Sequence, residues 1–172
     1  MAQSRSWVGM RVGWSLFAIL AVASALTPIS LAAEKPDIRA RLVTPEAVAA
    51  GSKQVIAVEM TIGSKWHVNS HKPSEDYLIP TEVALTASPG ALSSVRYPKD
   101  LEKRFSFSDK PLRVYEGTVR FETDLDLPAG AAGPVSIAGN VSYQACDDKQ
   151  CFAPAKIPLQ ATIAVRPAAG AR

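Results

Sequence analysis

The sequence lacks the features that identify several common classes of protein. It has no glycine-rich phosphate loop and no Ser-His-Asp grouping in a recognisable local context, so neither nucleotide hydrolysis nor serine-hydrolase chemistry is indicated. It has no internal repeat and, beyond its first residues, no apolar pattern of helical period, which argues against a solenoid or a helical bundle. The formal net charge is only +3 over 172 residues, and a nearly neutral domain gives no electrostatic reason to bind nucleic acid.

The amino terminus has the pattern of a secretory signal peptide. Two arginines precede an apolar run from Val12 to Leu26, and small residues follow up to Ala33. The run of about fifteen residues is shorter than the ~20 that span a bilayer. We therefore predict a signal peptide over 1–33, with cleavage after Ala32 or Ala33. The mature domain, 34–172, is expected to be periplasmic and soluble, with no transmembrane segment of its own.

The remaining sequence is dominated by alternating apolar and polar residues, which is the pattern of β-strands. Twelve of the thirteen prolines and eight of the ten glycines lie in this part of the chain and interrupt the pattern at short intervals. We therefore predict one all-β domain, an immunoglobulin-like β-sandwich with a cysteine-bearing hairpin. The predicted strands are 38–43, 55–62, 77–87 with an interruption at Pro80, 114–127, 135–143 and 157–165.

Cysteine is scarce: Cys146 and Cys151 are the only two, and four residues separate them in the loop of the last predicted hairpin. Facing residues of an antiparallel pair have Cα atoms roughly 4.5–5.5 Å apart, which suits a disulfide. A ring this short adds only about 2 kcal/mol in the chain-entropy model, and a domain of this size can fold without cross-links. We therefore predict a disulfide that serves redox chemistry. The alternative is a structural disulfide in a non-catalytic β-sandwich binding module.

The loop between the cysteines carries charge. Asp147 and Asp148 place negative charge beside Cys146 and disfavour its thiolate, and Lys149 offsets part of this effect. We therefore expect the oxidised pair to be attacked by a partner's thiolate. The alternative interpretation is that the charged loop residues form a solvated turn.

A metal site is a further alternative. His67 and His71, together with the two cysteines, have the spacings of a Cys₂His₂ zinc site. Their order is reversed relative to the usual zinc finger, and thiols of exported proteins tend to be oxidised. We therefore predict no metal and no cofactor apart from the redox-active disulfide.

Five segments carry a more specific signal: Trp66–Val68, Tyr77–Thr81, Phe105–Gly117, Val141–Cys146 and Cys151–Pro154. Together they resemble the amino-terminal periplasmic domain of the thiol:disulfide interchange protein DsbD, over most of residues 36–166. The resemblance implies an immunoglobulin-like sandwich whose cysteine pair carries electrons from a membrane-embedded reductase of the DsbD or CcdA type to periplasmic thioredoxin-like proteins. Because the sequence ends at Arg172, we expect the membrane donor to be a separate protein.

The resemblance also implies roles for individual residues. Cys151 matches the more exposed cysteine that forms mixed disulfides, and Cys146 matches its resolving partner. Phe105 and Phe107 share one face of a strand-like stretch, and one of the two matches an aromatic residue that caps the disulfide in this family. A place in the core is the alternative for at least one of them. The residues implied as surroundings of the site are Trp66, His67 and Tyr143. The predicted function is that of a thiol:disulfide oxidoreductase component.

Overall fold

The structure is a computed structural model that describes residues 35–168. Contacts group the chain into two units, Met1–Ala33 and Glu34–Arg172, and the described residues all lie in the second. The predicted signal peptide lies outside the described residues. Within 35–168, no helix has the length and apolarity that crossing a membrane requires.

Residues 35–168 form twelve β-strands and no helix, because period-2 alternation and frequent proline and glycine favour short strands joined by turns. The strands are β1 (Ile38–Val43), β2 (Ala47–Ala49), β3 (Lys53–Ile62), β4 (His67–Asn69), β5 (Glu82–Ser88), β6 (Ala91–Leu92), β7 (Leu101–Lys103), β8 (Leu112–Tyr115), β9 (Thr118–Asp126), β10 (Val135–Tyr143), β11 (Ala145–Cys146) and β12 (Ala155–Arg166).

The first sheet has the strand order β1-β3-β9-β6, and all its pairs are antiparallel. The predicted alternation is confirmed in its two central strands, which turn one face inward. The buried side chains on this face are Ile56, Val58, Met60 and Ile62 in β3 and Phe121, Thr123 and Leu125 in β9.

The second sheet has the order β2-β12-β10-β5, with β12 and β2 parallel and the other pairs antiparallel. The hairpin of β10 and β12 runs in register from the pair Val135 and Ile163 to the pair Tyr143 and Ala155. Gly139 lies in the middle of β10, where a Cβ atom would come within 1.9 Å of the Ala84 carbonyl oxygen. A glycine is therefore needed for β5 to approach β10 this closely.

The two sheets pack face to face around a shared core. Val58 and Phe121 of the first sheet belong to the same buried cluster as Val141 and Leu159 of the second. Burying each large apolar side chain of this kind contributes roughly 1.5–3 kcal/mol relative to exposure. The predicted all-β sandwich of the immunoglobulin type is confirmed.

A third, smaller sheet in the order β11-β4-β8-β7 carries the cysteine Cys146. Its strand β8 and the neighbouring β9 were predicted as one strand over 114–127, and that prediction is wrong. The chain turns at Glu116 and Gly117, where Gly117 has a φ of 65°. Glycine adopts this left-handed conformation without the penalty that a Cβ atom brings, so the chain can leave one sheet and enter another.

Two further strand predictions are corrected. The strand predicted over 77–87 begins only at Glu82, because residues 77–80 form a loop that is tied to the side chains of Asn69 and Gln144 instead of to a strand. The stretch that contains Phe105 and Phe107 is a turn-containing loop, not the strand-like segment that the sequence suggested. Both loops border the third sheet.

Candidate functional site

Cys146 and Cys151 form a disulfide, with the two Sγ atoms 2.04 Å apart. The two residues face each other as an isolated antiparallel bridge, and their Cα atoms are 3.9 Å apart, closer than the sequence-based expectation. Cys146 is fully buried at 0% exposure, whereas Cys151 is partly exposed. Thiol exchange needs one sulfur that a partner can reach and one that waits close by, and the two cysteines differ in this way.

Asp147 closes the loop between the cysteines. One of its carboxylate oxygens accepts hydrogen bonds from the backbone N–H groups of Lys149 and Gln150, both at 2.8 Å. Its own N–H donates to the carbonyl of Gln150 at 2.9 Å. The hydrogen bonds from the Lys149 and Gln150 N–H groups lower the pKa of the Asp147 carboxyl group. The interpretation of this segment as a hydrogen-bonded turn therefore accounts for Asp147.

The exit of the loop is fixed at Phe152. Its N–H donates to the carbonyl of Ala145 at 2.8 Å, and its ring packs edge-on against Trp66 with centroids 5.1 Å apart. The side-chain NH₂ group of Gln144 donates to the Phe152 carbonyl at 3.1 Å. These contacts hold the backbone directly after Cys151.

Gln144 is a residue whose role the sequence did not reveal. Besides the bond to Phe152, its Oε1 accepts hydrogen bonds from Asn69 Nδ2 at 3.1 Å and from the Ile79 N–H at 3.3 Å. It thereby joins the cysteine loop, strand β4 and the loop before β5. The available signal was a polar amide between the buried residues Tyr143 and Ala145, but nothing in the sequence identifies its distant partners.

His67 lies directly opposite Cys146, because β4 and β11 pair with these two residues in register. It is 2% exposed, and among residues 35–168 its Nε2 atom has no hydrogen-bond partner. Burial lowers the pKa of His67 below its ordinary value, although the nearby carboxylates of Glu116, Asp148 and Asp147 act in the raising direction.

Phe105 covers His67. The two rings are stacked with centroids 4.0 Å apart and an interplanar angle of 19°. Phe107 stacks on Phe105 at 5.4 Å and is itself 38% exposed. Between them, Ser106 Oγ donates to the carbonyl of Asp148 at 3.0 Å, which ties this loop to the cysteine loop. Of the two phenylalanines, Phe105 is therefore the one in contact with the strand opposite Cys146.

A cleft of about 390 Å³ opens beside these residues. Its lining combines aromatic rings with side chains of both charge signs, so it is not a uniformly charged surface. The lining residues include Lys65, Trp66, His67, Lys103, Arg104, Phe105, Glu116 and Asp148.

Two of the predicted site residues lie in the hydrophobic core. Trp66 and Tyr143 are buried members of the main core cluster, and burial raises the pKa of the Tyr143 hydroxyl.

The zinc alternative required two free thiols and both histidines. In the structure the two sulfurs are bonded to each other, and His71 stacks on Tyr97 in a different cleft from His67. Among residues 35–168, no group of three or more His, Cys, Asp and Glu side chains is arranged to hold a metal ion.

One family model matches most of the chain. The family model described as "Thiol:disulfide interchange protein DsbD, N-terminal" matches residues 39–160. Among solved structures, the reduced DsbD amino-terminal domain of Neisseria meningitidis is 16% identical, with a TM-score of 0.42, over 66% of this chain and 80% of that chain. The amino-terminal periplasmic domain of ScsB from Proteus mirabilis is 14% identical, with a TM-score of 0.47, over 72% of this chain and 44% of that chain. No curated protein matches significantly.

The family match covers more than half of the chain and includes both cysteines, the strand that carries His67 and the loop that carries Phe105. The chain belongs to the family of DsbD amino-terminal domains and is a thiol:disulfide interchange domain with one cysteine pair.

Proposed function

We propose that this protein is a periplasmic electron-relay module. It passes two electrons between a membrane-embedded reductase of the DsbD or CcdA type and periplasmic thioredoxin-like proteins, through the pair Cys146 and Cys151. The observation that carries the proposal is the unequal exposure of the two sulfur-bearing residues within a domain of this family: Cys146 is buried and Cys151 is partly exposed.

Reduction begins at Cys151. A donor thiolate attacks Cys151 Sγ, the Cys146–Cys151 bond breaks, and Cys146 leaves as a thiolate that takes up a proton. A second donor thiol then attacks the donor sulfur of the mixed disulfide and releases Cys151 as a thiolate. The donor is now a disulfide, and this domain carries two thiols.

Transfer to the acceptor follows the same chemistry in the opposite direction. The Cys151 thiolate attacks the disulfide of a thioredoxin-like protein and forms a mixed disulfide. Cys146 loses its proton, attacks Cys151 Sγ and expels the acceptor with both of its sulfurs reduced. The Cys146–Cys151 bond is restored, and two electrons have moved.

Phe105 is the cap in this proposal. It stacks on His67 opposite Cys146, whereas Phe107 contacts Phe105 from its outer side. The loop that carries Phe105 has an exposed hydrogen bond to the cysteine loop, from Ser106 to Asp148. A docking partner that displaces this loop breaks the exposed hydrogen bond, which contributes only about 0.5–1.5 kcal/mol, and separates the Phe105 ring from His67.

A trapping experiment tests the division of roles. Cys146→Ser retains the Cys151 thiol, which attacks the disulfide of an oxidised thioredoxin-like protein, but lacks the thiol that resolves the mixed disulfide, so it should accumulate the complex. Cys151→Ser should trap little, because its remaining thiol is buried. The double serine variant is the matched control, and non-reducing electrophoresis gives the readout. Equal trapping by the two single variants, or trapping by neither, would contradict the proposal.

A further inference from the structure

His67 is a buried polar side chain with an unused nitrogen next to the buried cysteine. Its Nε2 atom has no hydrogen-bond partner within the described part of the chain. Leaving a buried polar group unsatisfied costs roughly 1–3 kcal/mol, so its presence calls for a reason. The disulfide sulfur of Cys146 carries no hydrogen, whereas a Cys146 thiol can donate one to an imidazole nitrogen. The dithiol form of the protein therefore offers a partner that the disulfide form lacks.

The strand register brings the two groups together. His67 and Cys146 are directly opposed in the antiparallel pair of β4 and β11. The side chains of opposed residues lie on the same face of a sheet, with Cβ atoms about 4.5–5.5 Å apart. Both residues are buried, and the ring of Phe105 covers the imidazole at 4.0 Å.

The resolving step requires a base that can deprotonate Cys146. Cys146 must become a thiolate before it can attack the mixed disulfide. Burial raises the pKa of a thiol, and the acidic residues that follow Cys146 act in the same direction. A base in contact with the thiol is therefore needed for this step to proceed quickly near neutral pH.

We propose that His67 is the general base that deprotonates Cys146 during resolution, an inference that rests on the proposed relay function. Nε2 takes the proton from Cys146 Sγ, and the resulting thiolate attacks Cys151 Sγ. The bond between Cys151 and the partner breaks, its electron pair leaves with the partner's sulfur, and the Cys146–Cys151 bond forms. The imidazolium then loses its proton to solvent. In the reductive direction, the imidazolium returns a proton to the departing Cys146 thiolate.

The surroundings of His67 keep it available as a base. Burial is the largest influence and lowers its pKa, so the imidazole is neutral at pH 7 and can accept a proton. The charged groups that act on it or share its cleft come from the end of β7, the turn after β8, the cysteine loop and the segment before β4. They are Lys103, Arg104, Glu116, Asp147, Asp148 and Lys65.

Ellman's reagent separates the two chemical steps in one experiment. When the reduced protein is mixed with this aromatic disulfide, the first thionitrobenzoate is released as Cys151 attacks the reagent. The second is released as Cys146 attacks the mixed disulfide on Cys151. Stopped-flow absorbance resolves both steps, and the first step serves as an internal control for folding and for the reactivity of Cys151.

His67→Phe keeps an aromatic ring under Phe105 but removes both nitrogens. We expect it to slow the second release about 100-fold or more at pH 7, in line with the usual contribution of a general base, and to leave the first unchanged. The wild-type second step should reach a plateau by neutral pH, whereas the variant rate should keep rising beyond the ordinary thiol pKa of about 8.5, because a buried thiol ionises less readily. His67→Gln, which forms hydrogen bonds but does not titrate, should behave as His67→Phe does. His71→Gln, at the other histidine, is the control and should match the wild type.

A second step in His67→Phe with the wild-type rate and pH profile would overturn the inference and leave the relay function standing. Recovery of the rate by His67→Gln would also overturn it, because hydrogen bonding without proton transfer would then suffice. A Cys146→Ser variant that releases no thionitrobenzoate would instead overturn the proposed role of Cys151. Failure of the inference and failure of the proposed function are therefore distinguishable.

Discussion

Reduction of the disulfide should leave the domain folded. The bond closes a ring of six residues, for which the chain-entropy model gives about 2 kcal/mol. Other contacts hold the same segment without it: the turn at Asp147, the bond from the Phe152 N–H to the Ala145 carbonyl, and the pairing of Ala145 with Val68. Among the residues that the structure describes, neither cysteine belongs to the two buried clusters between the large sheets, although the neighbouring Ala145 and Tyr143 do.

Urea titrations of the oxidised and reduced domain measure this contribution directly. The two free energies of unfolding should differ by about 2 kcal/mol or less. As a matched comparison, Phe121→Ala removes a fully buried ring from the core and should cost about 3–5 kcal/mol in either redox state. If the reduced domain unfolds without denaturant, or loses more stability than Phe121→Ala does, the disulfide is a structural staple. The binding-module alternative would then be favoured over redox chemistry.

Two other substitutions test the cap and the close packing of the second sheet. Phe105→Ala should raise the rate at which dithiothreitol reduces the disulfide by several-fold, because the ring that covers the site is removed, whereas Phe107→Ala should remain near the wild-type rate. Equal rates in the two variants would rule out Phe105 as the cap. Gly139→Ala should destabilise the domain by more than about 3 kcal/mol or prevent folding, because its Cβ would overlap the Ala84 carbonyl oxygen. Gly130→Ala is its control, since nothing lies within 4 Å of a Cβ there, and thermal melts compare the two.

The sequence predicted the parts of this fold that depend on local pattern. Strand β1 was predicted over the residues that it occupies, and the buried face of β3 follows directly from the alternation of its apolar residues. The single strand predicted over 114–127 was wrong because the alternation continues across Gly117, and only the positive φ of that residue reveals the change of sheet. The pattern of side chains does not record which sheet a strand joins.

The sequence predicted the site only in part, because part of its geometry depends on strands too short to show a pattern. The cysteines stand out by their scarcity and spacing, and the resemblance to a known family implied that His67, and either Phe105 or Phe107, lie near them. The pairing of His67 with Cys146 depends on β4 and β11, which are three and two residues long. Strands this short have no periodicity that a sequence can display, so their register follows from tertiary packing alone.

The short strand β11 also separates local motion of the cysteine loop from unfolding of the two large sheets. The stems of the hairpin, β10 and β12, are paired over nine residues and belong to the sandwich, whereas Cys146 pairs outward with β4 in the small third sheet. Opening the cysteine loop after Cys146 breaks few hydrogen bonds and leaves the buried cluster that contains Val68, Tyr115 and Ala145 in place, so its local free energy of opening is far below that of global unfolding. The loop around the disulfide can therefore exchange partners and change redox state repeatedly while amide protons at the centre of β10 stay protected from solvent.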